Sequence, residues 1–409
     1  MRVTPAVLSL LVTGIAARPA AMATTSEGKR GTSVITAQPT SGCGATGSGV
    51  CRYVDVATGN DANPGTNTRP FRTLQQAANL VNPGDGVLVN NGVYTGGSTV
   101  LTITRSGTAG NWIVFRAAHP GGAVVDGRND RSEYGVRIRG NYIRVEGFEV
   151  RGLSSTGIDA FAGNELVAVT HDVAIVGNHI HDIGRICDDG SGGRGGVAAY
   201  VNNLVIERNV IHDIGRLGPG EEGCNPTNTN WQNHDHGIYH AVGDSVVIRN
   251  NIFYHNERGW SYHRYSGVGA TARGVYILNN TFAFPNPNRD GHIVIAGATV
   301  GLVIANNIFY RPTTAAIRWG TGGSWAGAVV ERNLSTAAVA APSVSGVSFV
   351  GNIENSDPKL ANPAGFDFHL QSGSPAIGVG VALALVTNDF YGASRPRGAT
   401  TDIGACQFK

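Results

Sequence analysis

The chain has few charged residues and no basic tract. Of its 409 residues, 15% are charged, and the formal net charge is +2. A protein that holds nucleic acid through its phosphates needs clustered positive charge, so this composition gives no support to a nucleic-acid partner. Lysine is the scarcest cation, present only as Lys29, Lys359 and Lys409. Any chemistry that needs a lysine in the middle of the chain is therefore disfavoured.

Long hydrophobic runs are also missing. The apolar stretch at residues 6–17 is shorter than the roughly 20 residues that a membrane span needs. It follows a Met-Arg start and precedes Ala-Met-Ala at residues 21–23, which is the pattern of a secretory signal. We predict a signal peptide over residues 1–23, a secreted protein with no membrane partner, and a flexible Thr-, Ser- and Gly-rich leader over residues 24–50.

Cysteine is sparse, with five in the chain, but an exported protein can use them in disulfides. Cys43 and Cys51 bracket a short Gly-rich loop and could pair with each other. Cys187 and Cys224 each follow an IHDIGR turn, so stacking of these turns would bring their loops side by side. Cys406 is left over, and the sequence alone proves no pairing.

What the chain has in abundance is a repeated phrase: a β-branched run, an Asn, two more apolar residues and a turn. It occurs as VAIVGNHIHDIGR from Val173 and LVIERNVIHDIGR from Leu204, and again in later copies. Successive asparagines lie 26 to 42 residues apart. They are Asn178, Asn209, Asn251, Asn280, Asn307 and Asn333. Self-similarity at this period indicates a solenoid, in which each repeat buries its apolar side by stacking on its neighbours.

A second series of short strands lies between the asparagine-bearing ones, for example HGIYHAV from His236. Short strands joined at Gly and Asn corners, and stacked about 4.8 Å apart, predict an all-β parallel β-helix with an internal asparagine ladder. We expect one monomeric domain over residues 51–409. An apolar helical stripe predicts an N-terminal cap at about 70–85, and we expect a C-terminal closing segment at about 357–409 to cover the far end.

Both ends of this domain resemble a known group of proteins. YVDVATGNDANPGTNTRPFRTLQQAANLV from Tyr53 is similar to the entry segment, and DFHLQSGSPAIGVG from Asp367 to the closing segment, of secreted right-handed parallel β-helix proteins of the pectate-lyase-like superfamily. The resemblance implies this fold and an acidic polysaccharide partner such as alginate, pectate or a glycosaminoglycan. It does not fix the activity, because the superfamily resembles lyases, hydrolases, epimerases and adhesin-like proteins alike.

The residue types and motifs in the central coils restrict which of these reactions the chain can carry out. Lyases similar to the family-nine pectate lyases would use a lysine to remove the C5 proton of a uronic acid, and the central coils contain none. The Gly-His-Gly and Arg-Ile-Lys elements of polygalacturonase-like hydrolases are also missing. A resemblance to mannuronan epimerases and several alginate lyases implies a different set of site residues, namely Tyr, His, Asp and Arg around a groove. Residues 233–266 contain these residue types. We therefore predict β-elimination carried by Tyr, His and Arg.

The strand register decides which of these side chains reach solvent. One register puts Ile238, Trp260 and Ile317 in an interior stack. The outward catalytic candidates are then Tyr239, His263 and Arg318. A slip of one residue exposes His240, Tyr262 and Arg264 instead, and both sets stay open. The insertion at residues 215–235 and the neighbouring coils add His234 and Asp235 as catalytic candidates and Trp231, Asp159, Tyr200 and Arg194 as substrate-binding ones.

In the predicted reaction, Tyr239 or His263 exchanges protons, while Arg318 or Arg264 neutralises the substrate carboxylate. A glycoside hydrolase is the first alternative, and it would need two carboxylates, for which Asp159 and Asp235 are the candidates. A uronan epimerase on the same fold and a non-catalytic carbohydrate-binding or adhesion protein are further alternatives.

No cofactor is required by this chemistry, but calcium fits the resemblance. The carboxylates that could bind it stand in the two loops after the IHDIGR turns, and they are Asp188, Asp189, Glu221 and Glu222. Solvated loop acids are the alternative interpretation of the same four residues.

Overall fold

The computed structural model describes residues 42–408, except 162, 165, 166, 268, 322, 341–343 and 396–399. The predicted signal peptide and most of the predicted leader lie outside the described residues. Residues 42–50 belong to the fold: Cys43 is 4% exposed and is paired with Cys51, and the Thr46 amide donates to the Gly84 carbonyl. The ordered chain therefore begins before residue 51, and this part of the leader prediction is corrected.

Most described residues wind into coils that place strands on three faces. The first face consists of Cys51–Val54, Gly86–Val89, Ile113–Ala117, Ile143–Glu146, Thr170–Val176, the end of Gly195–Glu207, Val246–Arg249, Val275–Leu278, Val303–Ala305, Ala328–Glu331 and Val347–Val350. Each strand pairs in parallel with the strand one coil away.

The second face contains the apolar residues that directly follow each repeated asparagine in the sequence. Its strands are Gly92–Tyr94, Ala123–Asp126, the start of Glu149–Phe161, His179–Ile183, Val210–Ile214, Ile252–Tyr254, Thr281–Ala283, Ile308–Tyr310 and Leu334–Ser335. Phe253, Phe282 and Phe309 stack inside this face at centroid distances of 4.8 and 5.2 Å.

The third face completes each coil. Its strands are Thr99–Ile103, Ser132–Ile138, the end of Glu149–Phe161, the start of Gly195–Glu207, His236–Val242, Tyr262–Arg264, Ile293–Ile295, Ala315–Trp319 and Ala338–Ala340. Shorter elements are the strand pairs Gly163–Asn164 with Val167–Ala168 and Ala272–Arg273 with Thr299–Val300, and the 3-10 turns Glu221–Gly223, Asn230–Gln232 and Pro363–Gly365. The parallel β-helix prediction is confirmed.

The asparagine ladder runs inside the corner between the first and second faces. Asn209 donates from its side-chain amide to Asn251 Oδ1 at 3.0 Å, and Asn251 donates in turn to Asn280 at 3.0 Å. The same bond links every consecutive pair of the six predicted residues and continues to Asn352, which the sequence pattern did not reveal. Each side chain also satisfies backbone groups at the corner, so these buried amides stabilise the turn rather than cost desolvation energy.

The N-terminal cap is the helix Leu74–Leu80. Thr73 caps it by accepting from the Gln76 amide, and Leu74, Ala77 and Ala78 are buried. Gln75 exchanges two hydrogen bonds with the backbone of Thr102, in the first strand of the third face. The helix thus satisfies a strand edge that would otherwise be open to pairing with another chain.

The tail from residue 357 does not cover the far end, and that prediction is wrong. Its apolar residues, with the strand pair Leu360–Asn362 and Asp367–Leu370, pack on the outward side of the second face, against Ile252, Ile308 and Leu334. Phe349 is 38% exposed although its partner Val330 is fully buried in the core. Among the described residues, the tail therefore packs along the side of the solenoid, where its apolar residues meet apolar partners.

Two disulfides form, Cys43–Cys51 and Cys187–Cys224, and the second ties together the loops that leave two consecutive coils. Cys406 is buried in the tail and belongs to neither bond. Among the described residues, no helix combines the length and hydropathy of a membrane span.

Candidate active site

A groove of about 520 Å³ lies on the third face, between the coils of residues 134–161 and 234–265. Its wall is formed by the two long loops that the Cys187–Cys224 bond joins. The residues predicted for the site that line it are Asp159, Arg194, Tyr200, His234, Tyr239 and His263. No lysine lines it, which agrees with the composition of the central coils.

The register exposes the first of the two predicted sets. Tyr239 stands opposite Ala198 on one side and His263 on the other, and the same outward column continues from Arg137 and Asp159. Ile238 pairs with Tyr262 rather than with Trp260, so the predicted interior stack is off by two residues. A shift of two keeps every side chain on its own side of the strand, which is why Tyr239 and His263 still face out.

Four aromatic rings meet at the groove floor. Tyr239 lies 5.7 Å from His236, 5.6 Å from His263 and 6.0 Å from Tyr200, measured between ring centroids. His236 was not predicted; it is buried, and it stacks between Tyr239 and Trp260. Tyr239 is thereby held in one position at a half-buried floor.

Hydrogen bonds fix the protons of the two histidines. The Trp260 amide donates to His236 Nδ1 at 3.2 Å, so the His236 proton sits on Nε2. That nitrogen is 2.9 Å from His263 Nδ1, which must accept. His263 therefore carries its own proton on Nε2, as a donor.

Burial lowers the pKa of His263 to about 3, with further contributions from the charges of His234 and Arg264. Burial also lowers the pKa of His236 well below its usual value, with a smaller effect of His263. Both rings are consequently neutral at ordinary pH, and His263 can donate a hydrogen bond without adding a charge.

Two arginines lie at the groove, and neither is one of those predicted to neutralise the substrate. Arg137 Nε bonds Asp159 at 3.0 Å, and its side chain remains 32% exposed. Asp159 also bonds Arg139 at 2.6 Å, so this carboxylate is held by two guanidiniums. Arg194 bonds Asp188. Of the groove cations, Arg137 keeps the most accessible surface for a carboxylate.

The set that a slip of one residue would have exposed points into the coil. His240 and Tyr262 are fully buried and share a 2.8 Å hydrogen bond from the phenol to Nδ1. Burial lowers the pKa of His240 to about 3 and raises that of Tyr262. Arg264 is also fully buried and donates to the carbonyls of Ala241 and Ala270. These groups support the floor from below and cannot touch a substrate.

Three further candidates lie away from the groove. Asp235 is fully buried in a bidentate ion pair with Arg216, so it anchors the loop wall and is unavailable to a substrate. Trp231 packs under Arg258, 5.2 Å from the guanidinium carbon, rather than over the groove. Arg318 shares the column of His263 but stands two strands further on, exposed and outside the groove.

The four calcium candidates do not converge. Asp188 bonds Arg194, Glu221 bonds Arg258 at 2.5 Å, and Asp189 accepts from the Thr227 amide and hydroxyl. Glu222 is exposed in a left-handed turn. The loop acids neutralise arginines and close turns, so they do not form the predicted calcium site.

Arg137, Tyr134 and His236 are among the groove residues that the sequence analysis missed. The sequence EYGVRIRG, from Glu133, extends the second strand series towards the N terminus. It aligns with TGIDAFA, from Thr156, since Tyr134 pairs with Thr156 and Arg137 with Asp159. The signal for Arg137 was therefore present in the repeat.

Comparisons with known proteins agree with the parallel β-helix fold. Residues 53–210 match the family model described as the Pel9A-like, right handed beta helix region. The crystal structure of pectate lyase Pel9A aligns with a TM-score of 0.57 at 15% identity, over 89% of this chain and 98% of that one. The chain has the right-handed parallel β-helix fold, as predicted, and at this identity the likeness to the pectate lyase concerns the fold alone.

A relative by sequence is the uncharacterized protein YwoF of Bacillus subtilis (strain 168), which is 32% identical over 151 residues. The matched stretch is 36% of this chain and 31% of YwoF, so the chain spans less than a third of the length of this curated relative.

Proposed function

We propose that this protein is a secreted polysaccharide lyase that cleaves a uronic-acid polymer by β-elimination. The observation that carries the proposal is the groove floor, where Tyr239 stands beside a neutral His263 whose proton is fixed on Nε2. Arg137 supplies an accessible positive charge in the same groove. A base, a donor and a guanidinium are the groups that abstraction of a C5 proton requires.

Tyr239 is the proton carrier in this mechanism. Its phenolate oxygen takes the C5 proton, the electron pair forms the C4–C5 double bond, and the C4–O bond breaks. The leaving oxygen then takes the proton back from Tyr239, which restores the phenolate. Arg264, buried beneath the groove floor, interacts electrostatically with Tyr239.

His263 and Arg137 act on the substrate carboxylate. His263 Nδ1 accepts the proton of His236 Nε2, so His263 has no free nitrogen with which to act as a base. Its Nε2–H is a hydrogen-bond donor. Donation from that nitrogen, together with the planar fork of Arg137, stabilises the negative charge that builds on the carboxylate as the C5 proton leaves. The open groove and the accessible guanidinium of Arg137 fit an acidic polysaccharide such as alginate, pectate or a glycosaminoglycan.

The hydrolase alternative has less support. Hydrolysis needs two carboxylates, one of them an acid with a free proton. Asp159 is the one carboxylate among the described groove-lining residues, and both Arg137 and Arg139 bond it. Its predicted partner Asp235 is buried with Arg216.

The test is incubation of the mature protein with alginate, pectate and glycosaminoglycans. A lyase produces ultraviolet absorbance from unsaturated chain ends on one of them. New reducing ends without that absorbance would indicate a hydrolase, inversion at C5 without cleavage an epimerase, and retention without product a binding protein. Any of these three results would overturn the proposed reaction.

A further inference from the structure

A second group of histidines lies on the second face, away from the groove. His179 and His181 stand on one strand, His212 on the next and Glu149 on the strand before. His179 Nε2 is 2.7 Å from His212 Nε2, and His181 Nε2 is 3.5 Å from Glu149 Oε1. Ligand atoms of Glu149, His179 and His181 all lie within 4.8 Å of one another. Glu149, His179 and His181 therefore converge, and His212 joins them through its contact with His179.

Carboxylates orient two of these rings. Asp182 accepts from His181 Nδ1 at 2.7 Å, and Asp213 accepts from His212 Nδ1 at 2.6 Å. Both aspartates hold a positive φ, which turns the side chain back to the preceding histidine. With Nδ1 donating to its aspartate, each ring directs Nε2 away from that aspartate. This carboxylate–histidine arrangement is the one that orients histidine ligands around metal ions.

His181 Nε2 has no hydrogen-bond partner among the described residues, although it is buried from solvent. A buried acceptor without a donor costs free energy and needs an explanation. The ring stacks on His212, which stacks on Tyr254, at interplanar angles of 3° and 11°. Stacking accounts for the ring planes but not for the direction of the nitrogens.

We propose that Glu149, His179, His181 and His212 bind one divalent cation of the zinc class. Tetrahedral zinc with bonds of about 2.0–2.1 Å places its ligand atoms about 3.3 Å apart. The two shortest separations here, 2.7 and 3.5 Å, lie on either side of that value, and the other ligand atoms would move closer together when the cation binds. Three imidazoles and one carboxylate also match the ligand preference of zinc over calcium.

The protons balance without a further group. In the metal-free protein His179 Nε2–H donates to the bare His212 Nε2; on binding, the His179 proton moves to Nδ1 and both Nε2 atoms bind the cation. Arg151 donates to Glu149 Oε1 at 2.7 Å, so this carboxylate oxygen would share its two lone pairs between the guanidinium and the cation.

The cation would fasten three successive coils at the point where the groove loops leave the second face. This role is separate from the proposed lyase reaction, because none of the four ligands lines the groove. Removal of the metal should therefore lower thermal stability while activity below the melting temperature is retained.

The experiment is zinc titration of the chelator-treated full protein, followed by thermal melting and by the visible spectrum with cobalt. We expect one zinc per chain, a melting temperature raised by zinc, and an intense tetrahedral cobalt spectrum. His181→Phe and His212→Phe keep a stacking ring but lose the nitrogen, so zinc affinity should fall at least 100-fold. His171→Phe is the matched control, since His171 also pairs with its neighbouring aspartate but has no converging ligands.

Less than half an equivalent of zinc at saturation, or equal zinc binding in wild type and both variants, would overturn the proposal. If a phenylalanine variant does not fold, the cobalt spectrum of the wild-type protein decides alone, because an octahedral, weakly absorbing spectrum excludes the site.

Discussion

The solenoid contains two groups of histidines that differ in what lies behind each ring. In the groove, a backbone amide fixes the proton of His236, and His236 fixes that of His263, so the outermost nitrogen is a donor. On the second face, aspartates hold Nδ1 of His181 and His212, so the converging nitrogens are bare acceptors. The same side chain is thus prepared to donate to an anion in one place and to bind a cation in the other. The group that is hydrogen-bonded to the inner nitrogen therefore decides whether the outer nitrogen donates or accepts.

The largest effect on the groove is expected from removing the hydroxyl of Tyr239, the proposed proton carrier beside His263. Tyr239→Phe keeps the ring packing against His236 and Tyr200 but removes the oxygen, so we expect kcat on the active uronan to fall by at least about 10³-fold. Tyr142→Phe, on the first face, is the control and should retain full activity. Substantial residual activity in Tyr239→Phe would assign the proton transfer to another group.

The donor itself is tested by His263→Asn. The Asn side-chain oxygen can still accept from His236 Nε2, but the Nε2–H of His263 is lost. We expect kcat to fall about 10²-fold, as for loss of one donor to a developing oxyanion, with little change in KM. An acid limb in the wild-type pH profile that disappears in His263→Asn would show instead that His263 acts as a titrating base.

Variants of Arg137 and Arg318 distinguish the carboxylate site in the observed groove from the one predicted from the sequence. Arg137→Ala should raise KM about 10-fold, because the accessible guanidinium is lost from the carboxylate site. Arg318→Ala should leave KM unchanged, since that side chain lies outside the groove. The reverse result in steady-state kinetics would restore the original assignment of Arg318.

Acid should destabilise the fold through the buried neutral rings. Burial lowers the pKa of His240, His263 and His292 to about 3, against about 6.5 in the unfolded chain. The unfolded state therefore binds more protons between these values, so stability is complete above about pH 6.5 and declines as the pH falls toward 3. Each ring contributes on the order of 1 kcal/mol per pH unit.

Urea unfolding across this range checks the effect, and His263→Asn should reduce the slope by the contribution of one ring. His119→Asn changes an exposed ring and should leave the slope as it is. An unchanged slope in His263→Asn would mean that this ring is protonated in the folded protein.

The repeat made most of the fold predictable, because the asparagines mark one corner of each coil and the alternation of Ile238, Tyr239 and His240 defines two sides of a strand. It could not show the tail, whose contacts with Ile252 and Leu334 depend on surfaces that exist only after the coils form. At the site, Tyr239 and His263 followed from the alternation. Asp235 and Arg264 did not, since their burial depends on Arg216 and on carbonyls far away in sequence.

The asparagine ladder sets a rule for how such a molecule can lengthen or shorten. Every rung both receives and supplies an amide contact, from the Phe148 backbone at one end to Asn352 at the other. An inserted coil that carries its own asparagine would join the series without disturbing its neighbours, whereas one that lacks it would leave two orphaned amides inside the protein. Loop length can therefore vary freely between coils, as the 42-residue interval beside the groove illustrates, while the corner residue cannot.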